Sequence, residues 1–286
     1  VSKLMRIHHN LTAMFSYRMY NKAISAQGLA MERLASGLRI NRAADDPAGL
    51  AISERMRAQI RGLNQAARNT QDAMSFIQTA EGGLNETHAI LQRMRELSVQ
   101  AANDTLSAAD RLSIQEEINE LTEEVTRIGS DTEFNTIKVL DGTHDTMKIQ
   151  VGANARQTTA IGLSDMRSAA LGLTGSGAGY TDQGTLDMSS NESASSAISI
   201  IDQAVEKVSS QRSKLGSHTR RLEHTLNNLE NTAENLTAAE MRIRGADMAK
   251  EMMNYTKNSI LAQAAMAMMA QANQHPAMIL QLLKTS

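Results

Sequence analysis

Along this chain, apolar residues return every three or four positions for most of its length. From Met56 they run through Ile60, Leu63, Ala67, Thr70, Met74 and Ile77 to Leu84, stepping by four and three until a final step of seven. That spacing predicts a helix carrying a coiled-coil seam. A phase shift is expected near Gly82-Gly83, after which the pattern resumes at Leu91, Met94 and Leu97 and fades at Ala101-Ala102-Asn103. At the upstream end, Asp46 before Pro47 fits an N-cap with proline in the first turn, where its missing N–H costs nothing. One helix over residues 47–102 would be ~84 Å long at about 1.5 Å per residue. A compact globule of 286 residues is only about 50 Å across. The pattern therefore predicts an elongated fold.

A second helix is predicted from Ser107-Ala-Ala-Asp110, a near-variant of the capping box, with Ile114, Ile118, Leu121, Val125 and Ile128 on one stripe. The clearest rod follows at a strict seven-residue period: Ile201, Val208, Leu215, Leu222, Leu229, Leu236 and Ile243. Such stripes must be buried on one another, so the fold class is mainly α, an elongated antiparallel helical bundle or coiled coil. Its expected seam comprises Ile60, Leu63, Ile77, Leu215, Leu222, Leu229, Leu236 and Ile243. Between rods over 45–130 and 200–246, residues 131–199 differ. Residues 137–140, 148–151 and 158–161 read as short strands separated by Asp141-Gly142 and Gly152-Ala-Asn154 turns, giving a small β-hairpin region. Residues 172–199, rich in Gly, Ser, Thr and Ala, read as a surface loop.

The two ends stand apart. Residues 1–44 are helix-like, with Leu11, Met14, Phe15, Ile24, Leu34 and Leu38, and end at Gly37-Leu38-Arg39-Ile40-Asn41. Residues 247–286 are rich in Ala and Met and carry Ile260, Leu261, Leu280 and Leu283 on more than one face. A helix of that kind expects partners on several sides, and the two ends are expected to lie side by side.

Composition narrows the function classes. Aromatics make up 2% of the chain, with no Trp, while Met reaches 18 and Pro only two, which suits long helices packed side by side. The absence of Cys excludes disulfides and thiolate sites. Charges nearly balance, 29 basic against 31 acidic, so nothing electrostatic points to nucleic acid or an anionic membrane. Lys3 and Arg6 lead into Ile7-His8-His9-Asn10, not an apolar secretory core, so export without a cleaved peptide is expected. Residues 260–269 are too short an apolar run to span a bilayer, and no membrane insertion is expected.

Candidate chemistry is thin. His8, His9, His88, His144, His218, His224 and His275 show no ligand spacing, and no H-E-x-x-H occurs. "GSGAG" at 175–179 lacks the preceding strand, following helix and Lys-Ser/Thr of a phosphate loop. Glu116, Glu117, Glu120, Glu123 and Glu124 read as the wet face of a helix, with Glu123 and Arg127 paired at i,i+4. Met252, Met253, Met266, Met268 and Met269 read as adaptable packing. No catalytic residue, cofactor or metal site is expected.

Four stretches carry a family resemblance: "LASGLRINRAADDPAGLAISERMRAQIRGLNQA", "ETHAILQRMRELSVQAANDT", "DTEFNTIKVLDG" and "ENLTAAEMRIRGADMAKEMMNYTKNSILAQAAMAMMAQAN". In this order they resemble bacterial flagellin over residues 5–155 and 200–284. Two departures stand out. The family usually begins near the equivalent of Met5, making Val1-Ser-Lys-Leu4 an extension, and commonly has a charged residue where Gly245 stands, which predicts a weaker helix there. The resemblance implies a secreted subunit that polymerises with copies of itself into the extracellular filament. It also implies contacts with an export chaperone, a filament cap and hook–filament junction proteins. The inner-core helices would be 1–44 and 247–286, unordered in the monomer and pairing as a coiled coil on assembly through Leu11, Phe15, Ile260, Leu261, Leu280 and Leu283. Gln92, Arg93, Leu97 and Glu117 match positions by which Toll-like receptor 5 recognises flagellins, on an exposed face that packs between subunits. The stretch 174–199 would carry any surface O-glycans. Two alternatives stay open: a hook–filament junction protein, and a secreted surface adhesin on the same scaffold.

Overall fold

The structure is a computed structural model describing residues 10–177, 179–181 and 184–284, without the side chains of 275–277 and 279–284. In chain order the elements are α1 (Leu11–Ser36), α2 (Pro47–Ala101), α3 (Ala108–Asp131), β1 (Glu133–Phe134), β2 (Ile137–Lys138), β3 (Thr146–Gln150), β4 (Thr158–Gly162), α4 (Ser168–Leu171), α5 (Asn191–Arg244) and α6 (Met248–Lys284). The chain divides into two compact units, residues 1–58 with 235–286, and residues 59–234. The fold is mainly α.

The second unit holds the long-rod core. On α2 Phe76 and Leu97 are buried beside a stripe of buried positions at Leu63, Ala66, Thr70, Ala73, Ile77, Ala80, Leu84, Thr87, Leu91, Met94, Ser98 and Ala101. They alternate by three and four without a break, so the expected phase shift at Gly82-Gly83 does not occur. Two of the eight expected positions are also one residue away from their place, since Ala66 and Ala73 are buried where Ala67 and Met74 are only half-buried. Small residues fill those places on the stripe, which lets neighbouring backbone approach, and the larger Met74 packs at its edge. Three of these positions are hydroxyl residues, and each donates to the carbonyl one turn back: Thr70 to Ala66 (2.8 Å), Thr87 to Gly83 (3.0 Å) and Ser98 to Met94 (2.8 Å). A buried hydroxyl satisfied within its own helix leaves only its methyl or methylene for the seam.

α3 starts with a full capping box, Ser107 accepting from the Asp110 amide and Asp110 accepting from that of Ser107. It buries Ile114, Ile118, Thr122, Val125 and Gly129, whereas Leu121 and Ile128 are half-buried. Arg127 pairs with Glu124 and Asp131, not with Glu123 as the i,i+4 spacing suggested. α5 begins at Asn191, so the expected loop over 172–199 is overturned in its last nine residues. Ser190 accepts from the Ser193 amide at 3.1 Å, and Ala194 and Ala197 extend the buried stripe of Ile201, Ala204 and Val208 toward the N-terminus. The segment before it is no solvated loop either, because Leu173, Leu186 and Met188 are fully buried and the Tyr180 hydroxyl donates to the Gly172 carbonyl at 2.6 Å.

α2, α3 and α5 share one core. α3 and α5 both run antiparallel to α2, as Arg95 meets Asp202 at 2.7 Å while Asn191 meets Asp104 at 3.0 Å, and Arg93 meets Glu117 at 2.9 Å while Arg111 reaches the Asn103 carbonyl at 3.1 Å. Of the expected seam, Ile77, Leu215 and Leu222 are fully buried and Leu63 and Leu229 nearly so; Ile60, Leu236 and Ile243 are half-buried. The β-region is two separate hairpins. β1 pairs with β2 through Asn135-Thr136, both at positive φ (50° and 65°), as a tight two-residue hairpin turn requires. β3 pairs with β4, Ile149 opposite Thr159. The expected strand at 137–140 stops at Lys138, and Val139 and Leu140 enter the core instead, where Leu140 is wholly buried.

Candidate assembly interface

The first unit is built the other way out. α1 and α6 lie antiparallel, with Asn10 Nδ2 donating to the Ala272 carbonyl at 2.7 Å and Arg33 facing Glu251 at 3.5 Å. Apart from Glu251, which faces Arg33, the residues buried along the pair are small: Ala23 and Ala30 on α1, Ala262, Ala265 and Ala272 on α6. The large apolar side chains point away. Leu11, Met14, Phe15, Tyr17, Ile24 and Met31 stand exposed on α1, and Met252, Met253, Ile260, Leu261, Met266 and Met268 on α6. Among the described residues, all large exposed hydrophobics except Val99 and Leu112 belong to this unit. Scattered exposed leucines are ordinary in a soluble protein, but two whole helices of them are not. A shallow cleft of about 350 Å³ between Phe15, Met19, Ala265 and Met268 is apolar on both walls. Leu11, Phe15, Ile260 and Leu261 thus all lie on the outward apolar surface, while the side chains of Leu280 and Leu283 fall outside the described residues.

The ends of these helices are tied by a backbone clasp. Gly37 closes α1 in the left-handed conformation (φ 68°), which costs a residue without a Cβ nothing, and its amide donates to the Arg33 carbonyl. The chain then pairs with the residues following α5: the Arg39 amide donates to the Arg244 carbonyl (2.7 Å), and the Ala246 amide to that of Gly37 (3.0 Å), with Leu38 opposite Gly245. Arg244, only 8% exposed, secures the clasp, its Nε donating to the Ile40 carbonyl (3.0 Å) and its Nη1 reaching Glu54 (2.8 Å). Gly245 is the end of the helix and not a weak point inside it. A Cβ there would sit 2.5 Å from the Met241 carbonyl oxygen, so a charged residue at this position requires the backbone to move. Asp46 caps α2, accepting from the Gly49 amide at 2.9 Å.

Two carboxylates of the clasp are held below their ordinary range. Hydrogen bonding from Arg244, then from Arg57, lowers Glu54 from 4.5, and the amides of Arg42 and Asn41 lower Asp45 from 3.8. A carboxyl lowered in the folded state adds stability that is complete above its unfolded value and is lost as pH falls through the folded one. Replacing Glu54 with glutamine is therefore expected to lower the melting temperature at neutral pH, and the difference from the parent should shrink to nothing as pH drops below 4.5. Melting curves taken across that range check it.

On α2, Gln92 and Arg93 are exposed and Arg93 is held by Glu117 (2.9 Å) and Glu96 (3.5 Å). Leu97, expected on the same exposed face, is 2% exposed and belongs to the core. Its i,i+4 spacing from Arg93 puts it near that face, but it lies in the same core as the α3 stripe of Ile114 and Ile118. Among the described residues, no three His, Asp or Glu side chains group as a metal site, and no helix is long and apolar enough to cross a membrane.

Comparison with known proteins identifies this architecture. The family model of the bacterial flagellin N-terminal helical region matches residues 7–145, and that of the C-terminal helical region matches residues 198–283. Flagellin of Halalkalibacterium halodurans is 51% identical over 280 residues, spanning 98% of this chain and all of that protein. Flagellin of Bacillus subtilis is also 51% identical, over 98% of this chain and all of that protein. The crystal structure of Bacillus cereus flagellin, 32% identical, overlays 60% of this chain and 94% of that one with a TM-score of 0.47. By family models over most of its length and by relatives matched end to end, the chain belongs to the bacterial flagellin family.

Proposed function

We propose that this chain assembles through the outward apolar faces of α1 and α6, which order and become buried only when stacked on other copies. As a flagellin it is a structural subunit of the flagellar filament and not an enzyme. The single observation that supports the assembly route is the inverted packing of the first unit, alanines inside and Leu, Ile, Met and Phe outside. Burying such surface against neighbours gains about 25 cal/mol per Å², which offsets the conformational entropy of ordering the segments. In this reading residues 1–44 and 247–286 are the inner-core segments and the α2–α3–α5 bundle is the rod. The subunit works outside the cell. The same exposed Met-rich surface suits an export chaperone before assembly, and a filament cap and hook–filament junction proteins are its further partners. Toll-like receptor 5 would meet Gln92, Arg93 and Glu117, with Leu97 beneath them.

Limited proteolysis tests the route. In monomer, cleavage is expected to concentrate within residues 1–40 and 250–286, and polymer should protect both. Equal protection in the two states would sink the coupling of order to assembly. A monomer that binds surface glycans and forms no filament on electron micrographs would favour the adhesin instead.

A further inference from the structure

The outward face of the first unit is unusually rich in one oxidisable group. Met14, Met19 and Met31 on α1, Met248, Met252, Met253, Met266, Met268 and Met278 on α6, and Met241 at the end of α5 are all 42–66% exposed. In the second unit Met94 and Met188 are fully buried, Met166 is 4% exposed, and Met74 and Met147 are half-buried. We infer that the α1/α6 methionines are a site of reversible oxidation by peroxide-class oxidants, and that their sulfoxides block assembly of the free subunit. This rests on the assembly route proposed above.

The chemistry needs only the thioether and the oxidant. A sulfur lone pair attacks one oxygen of hydrogen peroxide, an S–O bond forms as the O–O bond breaks, and the departing hydroxide takes the proton of the sulfur-bound hydroxyl and leaves as water. Sulfur is oxidised by two electrons to the sulfoxide while the peroxide is reduced. Access to the sulfur sets which residues react, and the product is polar, so a flexible apolar filler becomes a group that must stay hydrated. Alanines line the α1/α6 contact, so the sulfoxides fall on the apolar outer face that has to be buried in assembly. Met248 and Met252 lie one turn apart on α6 and share a face, so that face collects neighbouring sulfoxides. Once copies cover that face, the same sulfurs leave solvent and the filament is resistant.

Full-length subunit is treated with hydrogen peroxide, before and after polymerisation, and oxidation is mapped by peptide mass spectrometry. In the free subunit the exposed set is expected to oxidise about tenfold faster than Met94 and Met188, following accessibility. The polymer should show that set protected. Equal rates at exposed and buried methionines, or no protection in polymer, overturn the site. Oxidised subunit should fail to polymerise and recover after treatment with methionine sulfoxide reductases. Measured against its own untreated sample, the variant Met252→Leu, Met253→Leu, Met266→Leu and Met268→Leu should lose less polymerisation on the same exposure than the parent does; an equal loss overturns the role of these four. Oxidised parent protein that polymerises like untreated protein overturns the block on assembly. Untreated subunits that do not polymerise count against the assembly route itself, while the mapping of exposed against buried methionines still decides the oxidation site.

Discussion

Replacing Ile260 and Leu261 together with aspartate is expected to abolish polymerisation while leaving the subunit folded. Both side chains face solvent, at 60% and 48% exposure, so their loss opens no cavity and strands no partner. Helix propensity falls by less than about 1 kcal/mol per residue. In the stacked state each new carboxylate must leave water for an apolar surface of Met, Ile and Leu, at a cost of several kcal/mol. Taking a combined penalty as low as about 4 kcal/mol, the critical concentration rises roughly thousandfold, since each 1.4 kcal/mol is tenfold. Sedimentation of polymer from a concentration series measures it, with circular dichroism confirming that helix content is kept. Polymer at near-parental concentrations would show that this face of α6 is not an interface.

Much of this was legible in the sequence, and the reasons divide by residue type. Large aliphatics at seven-residue spacing carry enough burial free energy to fix a seam by themselves, which is why Ile77, Leu215 and Leu222 lie in the core as their period required. Small residues carry little, so the sequence pattern does not mark Ala66, Ala73, Ala80 and Thr87 as seam positions and instead runs through the larger Met74 with a break at Gly82-Gly83. The start of α5 was hidden in the same way. "SSNESASSA" has the composition of a loop, yet its two alanines are three apart and fall in register with Ile201. In Val139 and Leu140 the run of apolar residues was real but its destination was the helical core, which strand periodicity over four residues cannot distinguish.

The candidate interface was legible as a conflict. A helix with apolar residues on several faces contradicts a soluble monomer, and the sequence of residues 247–286 carries that conflict. The clasp was not legible, because it consists of backbone hydrogen bonds between segments some 200 residues apart, and only Gly37, Arg244 and Gly245 mark it. Leu97 failed for another reason. Helical spacing places a residue on an arc, and whether that arc faces water depends on where α3 packs, which α2 alone does not encode.

The seam itself yields the second large effect. Ile77 to alanine removes a fully buried side chain from the middle of α2 and is expected to cost about 4 kcal/mol, the lost transfer free energy plus a cavity that the surrounding helices only partly close. Ala80, one turn on and also fully buried, sits where a small side chain is required. Leucine there forces extra atoms into a filled space, at roughly 2 kcal/mol. Residues three apart on a helix are neighbours, so the void left by the first change adjoins the excess volume of the second. The double variant Ile77→Ala, Ala80→Leu should therefore be more stable than the sum of the single losses by about 1 kcal/mol or more, a coupling that distant sites do not show. Denaturant unfolding of the four proteins measures it. A neutral or stabilising Ala80→Leu would mean that the small positions of the stripe are loosely packed, and the continuous three–four seam would lose its physical basis.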